Sequence, residues 1–172
     1  MSAPQDDPLV AQAYGLLVAT ADHRGDAALD ENVHKVLAVL RSRMKMDVVF
    51  VSRFENGQRI FKAVDAAPRT AGHVRPGHGD PLEESWCHRI VNGRLPQYIH
   101  DAAPLVESGE APPSGKGIGT HLSVPVVLSD GQVFGTLCAF AFHVNEDVSL
   151  QDVWRLRAVA DLIAKRIEPD KA

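Results

Sequence analysis

The sequence predicts an α+β fold, a central antiparallel sheet with terminal helices on one face and a helix plus a long loop on the other. Three observations carry this. The dipeptides Asn56-Gly57 and Asp130-Gly131 each separate two runs rich in β-branched and aromatic residues, a pattern that marks hairpins and therefore antiparallel pairing. Apolar residues recur at helical spacing near both ends of the chain, as in amphipathic helices that cover a sheet. The run VFGTLCAFAFHV, residues 133–144, is largely apolar in both of its alternating sets, so that strand needs cover on both faces.

The elements follow in order. Leu9, Ala13, Leu16 and Leu17 predict a first helix from Pro8 to about Ala21, with the acidic pair Asp6-Asp7 where a helix dipole favours negative charge. Residues 23–26 break it. Leu29, Val33, Val36, Leu37 and Leu40 line a second helix over 28–44, and Arg41, Arg43 and Lys45 suit its C-terminal end. Strands are expected at 47–55 and 58–66, then a Pro-, Gly- and His-rich loop to Gly79. Asp80 as N-cap and Pro81 at the first helical position predict a short helix carrying Leu82, Trp86, Cys87, Ile90 and Val91 and ending near Gly93. A short strand over 97–100 precedes a loop over 101–119, long enough to point to function. Strands over 121–128 and 133–144 form the second hairpin. Ser149 caps a final helix with Leu150, Val153, Leu156, Val159, Ala160, Ile163 and Ile167 on one side. A roof made partly of loop leaves room for a cavity, where small ligands bind.

The chain of 172 residues is 45% hydrophobic and 23% charged, an ordinary globular composition with enough core to stand without metal or disulfide. A net charge of −4 argues against a nucleic-acid partner. No run approaches the roughly 18 apolar residues of a membrane span, and the N-terminus does not read as a secretory signal. Two cysteines make no disulfide framework, so a reducing, cytoplasmic location is the expectation. The eight histidines show no metal-ligand spacing.

Two blocks resemble the GAF domain family. Ser85-Trp86-Cys87-His88-Arg89-Ile90-Val91-Asn92-Gly93 through Asp101 looks like that family's helix, glycine turn and short strand ending in Asp. Leu122-Ser123-Val124-Pro125-Val126, Asp130-Gly131 and Phe134-Gly135-Thr136-Leu137-Cys138 look like its last hairpin. The resemblance implies a GAF-like fold, close in layout to PAS and profilin-like domains. It divides the chain into a helical extension (1–27), a GAF domain (28–168) and a polar tail (169–172). It also implies a regulatory sensor in signal transduction, with an unidentified small molecule as ligand, a homodimer through the terminal helices, and a separate output domain such as a cyclic-di-nucleotide enzyme or histidine kinase. No cofactor is assigned. The bilin-attaching Cys before the Val-Pro strand and the Asn-Lys-Phe-Asp-Glu signature of cyclic-nucleotide binders are both missing. The free-methionine sulfoxide reductases are this family's catalytic branch. Cys87 falls where they have one cysteine, but their catalytic Cys before the Val-Pro strand is absent. The expectation is a non-enzyme. A thiol-dependent reductase using Cys87 and a ligand-free dimerisation module are the alternatives.

Alternation puts His121, Ser123 and Pro125 on one face of their strand. Bilin-binding relatives hold acidic groups from similar positions, so the resemblance marks His121 and Ser123 as polar pocket contacts. The hairpin brings them beside Thr136, Cys138 and Phe140, while Trp86 and Tyr98 offer an aromatic wall and a hydroxyl. Cys87 reads first as a small buried hydrophobe near a helix N-terminus. Asp101 reads as a loop cap. The Ser114–Gly119 stretch leads into a strand rather than a helix, so it makes a poor phosphate loop.

Overall fold

The computed structural model describes residues 7–18, 28–70, 72 and 74–168. Val48–Glu55 (β1) and Gln58–Ala66 (β2) turn about Asn56 and Gly57 at φ 52° and 74°, the left-handed pair that a two-residue hairpin needs. His121–Val127 (β5) and Val133–Phe140 (β6) form the second hairpin. Gly79–Pro81 (β3) and Tyr98–Ile99 (β4) complete a six-stranded sheet in the order β3-β2-β1-β6-β5-β4, antiparallel at every pairing. The two hairpins meet at β1 and β6. There Gly135 is obligatory, since a Cβ would sit 1.8 Å from the Ser52 carbonyl oxygen.

One face of the sheet is packed by Glu31–Met44 (α2) and Leu150–Ile167 (α5), and Pro8–Val18 (α1) lies against those two helices. Val49, Val51, Leu122, Val124, Leu137 and Ala139 meet Val33, Leu37 and Leu40 of α2 and Leu156, Val159 and Ile163 of α5 in one buried cluster. Each fully buried branched side chain there contributes about 1.5–3 kcal/mol. Local chemistry fixes the helix ends. Asp7 Oδ1 accepts from Leu9 and Val10 N–H, Asp30 caps α2, and Ser149 with Asp152 forms a capping box on α5. Arg166 is buried and donates to the Leu17 and Ala28 carbonyls and to Asp30, tying the three helices together.

Several expectations are corrected. The helix begins not at Asp80-Pro81 but at Trp86 (α3, Trp86–Val91), with Ser85 as N-cap accepting from the His88 N–H. Gly79, Asp80 and Pro81 instead pair with β2, an edge position where proline's missing N–H is tolerated. The long 101–119 segment contains a helix, Ala103–Ser108 (α4), and a 3-10 turn, Pro113–Gly115. Asp101 accepts from the Ala103 N–H at 3.1 Å, so it does act as a cap. The second helix starts at Glu31, and β6 ends at Phe140 because the buried Asp47 carboxylate takes the Phe142 N–H at 2.8 Å. The expected end of α1 near residue 21, the break at 23–26, His73 and the tail at 169–172 lie outside the described residues.

Candidate functional site

The other sheet face is roofed by α3, the segment before β3 and the 3-10 turn before β5. A cavity of about 480 Å³ lies between. Its floor is Phe50 on β1, Arg59 and Phe61 on β2, His121 on β5 and Phe140 on β6. Trp86 and Cys87 of α3, Val74, Gly115 and Ile118 form the roof. Arg75, His78 and Lys116 are exposed members of its lining.

Two bulges decide which side chains face this space. β1 and β2 slip by one position after Val51, and no β1 residue stands opposite Lys62. Before the slip Ala63 packs with the helices; after it Phe61 joins Val64 and Ala66 on the cavity side, and Arg59 follows. A second slip, in the β5–β6 pairing, leaves Phe134 without a β5 partner. Phe134 therefore packs into the helix-side cluster, not on the Thr136, Cys138 and Phe140 face where strict alternation puts it.

The roof is fixed by contact. A Cβ at Gly115 would fall 1.8 Å from the Trp86 ring, so only glycine lets the turn lie flat on the indole. Trp86 Nε1 donates to the Pro112 carbonyl at 3.2 Å. Below it, His121 is tilted against Trp86 at 5.0 Å between centroids and stacked on Phe140 at 6.2 Å. Burial, then the Arg59 charge, pushes the His121 pKa down to about 3, so its ring is neutral. Its Nδ1 is buried with no hydrogen-bond partner.

Arg59 is the buried cation of the site. Its guanidinium lies 4.0 Å from the Phe61 ring centroid and 5.9 Å from that of Phe50, donates to Asp80, and approaches Cys87 Sγ at 3.5 Å. Burial works against its charge, but Cys87 and Asp80 more than restore it and raise its pKa. Its Nε has no partner. Under Cys87 runs a buried polar row. Cys87 Sγ is 3.5 Å from Cys138 Sγ, Cys138 is 2.8 Å from Ser123 Oγ and 3.4 Å from Thr136 Oγ1, and Thr136 Oγ1 is 2.7 Å from Ser52 Oγ.

Of the residues singled out in the sequence, Trp86, His121 and Phe140 line the cavity. Ser123, Thr136 and Cys138 share their sheet face but lie in the polar row behind Cys87. Tyr98 packs at the edge of the helix-side core, with its hydroxyl near His100 Nδ1 and the Val148 carbonyl. Arg59, Phe50, Phe61 and Asp80 escaped sequence reading. Alternation in β2, counted without the bulge, groups Arg59 with Ala63, a helix-side residue. Among the described residues, no group of three or more His, Cys, Asp or Glu is placed to hold a metal ion, and no helix is long and apolar enough to cross a membrane.

With this geometry in hand, the chain compares with known proteins as follows. The family model described as GAF domain matches residues 26–168. No curated protein matches in sequence. Among solved structures, the GAF domain from an Acinetobacter phosphoenolpyruvate-protein phosphotransferase is similar at TM-score 0.71 and 17% identity, covering 97% of this chain and 94% of that one. The free methionine-R-sulfoxide reductase from Neisseria meningitidis, solved with its substrate, gives TM-score 0.70 at 16% identity over 93% and 86%. A far-red absorbing protein with bound biliverdin gives TM-score 0.70 at 14% identity over 93% and 97%. At such identities the likeness is one of fold. It still corrects the non-enzyme expectation: this fold is shared with reductases, so it does not separate binding from catalysis.

Proposed function

The chain belongs to the GAF domain family, a family of sensor and regulatory domains, and on that premise we propose that its cavity takes a small anionic molecule with a flat apolar body. The observation that carries the reading is Arg59, a cation buried on the cavity floor between aromatic rings with an unpartnered Nε. Lys116 and Arg75 add positive charge to the lining, against Asp80 and the Cys87 thiolate that Arg59 favours. A carboxylate or similar anion would meet the guanidinium, while Trp86, Phe50 and neutral His121 enclose the body. Such a ligand touches the 3-10 turn and α3 together, so its binding energy biases the 101–119 roof between arrangements.

Dimerisation and output complete the reading. Leu150 and Trp154 on α5 and Tyr14 on α1 leave 65%, 59% and 54% of their surfaces exposed, apolar surface on the terminal helices that suits a second copy. The signal would pass through those helices to a separate cyclic-di-nucleotide enzyme or histidine kinase, in a cytoplasmic setting that matches two free thiols. Calorimetric titration with naphthoate, with naphthamide as the uncharged control, tests the ligand class. Naphthoate should bind, the amide should not, and Arg59→Met should weaken naphthoate by about tenfold or more. Equal binding of acid and amide overturns the anionic reading, and a monomeric mass by light scattering overturns the dimer.

A further inference from the structure

The chain has two cysteines, 51 positions apart on different elements, and the fold sets their sulfurs 3.5 Å from each other. We propose that Cys87 and Cys138 form an oxidisable dithiol site, reached through the cavity by a small hydroperoxide, that closes a disulfide between α3 and β6.

Geometry assigns the two roles. Cys87 is the cysteine in the cavity wall and has Arg59 Nη1 3.5 Å from its sulfur, so its thiolate lies on the cavity side of the pair, beside a cation that stabilises it. Cys138 sits behind it, within reach of Ser123 and Thr136 hydroxyls, and does not line the cavity. The proton follows this arrangement. Burial raises both thiols, but the Cys138 contact and Arg59 pull Cys87 down to about 6, while Cys138 is pushed up and keeps its proton. Neither cysteine has surface open to water, from the cavity or from outside, so a peroxide small enough for the cavity meets Cys87 only when the α3 roof over it shifts.

The chemistry balances in two steps. The Cys87 thiolate attacks a peroxide oxygen. An S–O bond forms, the O–O bond breaks, and the leaving oxygen departs as water or alcohol after taking a proton, giving the Cys87 sulfenic acid. Cys138 sulfur then attacks Cys87 sulfur. The S–S bond forms, the S–O bond breaks, and the hydroxyl leaves as water with the Cys138 proton. Two electrons pass from the two thiols to the peroxide. Closing the sulfurs to about 2.05 Å asks for about 1.5 Å of approach, on the scale of side-chain rotation. The disulfide would staple the roof helix to the sheet. The site stands whether or not the anionic ligand is the right one.

The test is intact-mass and peptide mapping of the native protein after equimolar hydrogen peroxide. The expected result is loss of two hydrogens and one crosslinked peptide pair holding Cys87 and Cys138. Cys138→Ala should stop at a Cys87 sulfenic acid that dimedone traps, Cys87→Ala should leave Cys138 reduced, and Arg59→Met should slow Cys87 oxidation about tenfold at neutral pH. Should a variant fail to fold, the wild-type map decides alone. Thiols that stay reduced until the chain is unfolded, disulfides only between chains, or Cys138 oxidised as fast without Cys87 would each overturn the site.

Discussion

The two faces of the sheet are built from different materials. Under α2 and α5, the buried side chains of the central strands are hydrocarbon, and Leu37, Leu40, Leu122, Leu137, Leu156 and Ile163 are fully buried. On the opposite face the strands present Ser52, Thr136, Cys138, Ser123, His121 and Arg59, all buried; His121 and Arg59 line the hollow among aromatic rings, and the other four form the polar row behind Cys87. A buried polar group costs free energy that a hydrocarbon does not. Two such groups, Arg59 and His121, keep an unpartnered nitrogen. The solid face supplies stability, and the hollow face spends some of it to hold charge and sulfur where a small molecule can reach them.

The largest effect that sharpens this contrast is on the solid face. Leu156→Ala should cost about 2–5 kcal/mol in urea unfolding. A cost below about 1 kcal/mol would erase the distinction between the faces. Next comes acid sensitivity of the hollow face. The His121 pKa falls from 6.5 to about 3 on folding, through burial and then the Arg59 charge. Its contribution is complete above the unfolded value and shrinks as pH drops, because the unfolded chain takes up a proton that the folded one refuses. Stability should fall by about 1.4 kcal/mol per pH unit below 6.5, roughly 2 kcal/mol near pH 5. His121→Gln should flatten that slope in urea titrations at neutral and acid pH, and an unchanged slope would break the account. The smallest effect is Ile118→Ala. This half-buried wall residue already faces the hollow, so trimming it should cost about 1 kcal/mol or less by thermal unfolding. A loss as large as that of Leu156→Ala would mean the cavity is not open space.

The architecture was legible in the sequence to the degree that it is local. Asn56-Gly57 and Asp130-Gly131 placed both hairpins, and Ser149 placed the start of α5. Alternation in β5 put His121 and Ser123 on one face, and the fold agrees. It failed where a non-local contact competes with a local signal. Asp80-Pro81 carries good helix-start chemistry, yet pairing with β2 and the ion pair to Arg59 hold it in an edge strand.

Turns, caps and apolar periodicity are written in neighbouring residues, so the sequence alone determined the antiparallel sheet, its helical cover and the presence of a roof over the second face. Tertiary structure decided which side chains meet beneath that roof. A one-residue slip at Lys62 sends Arg59 and Phe61 into the cavity, and the packing of α3 on β6 sets Cys87 against Cys138. The physical reason is that a bulge is defined by the strand opposite, and a contact between distant segments exists only after both have been placed on the same sheet.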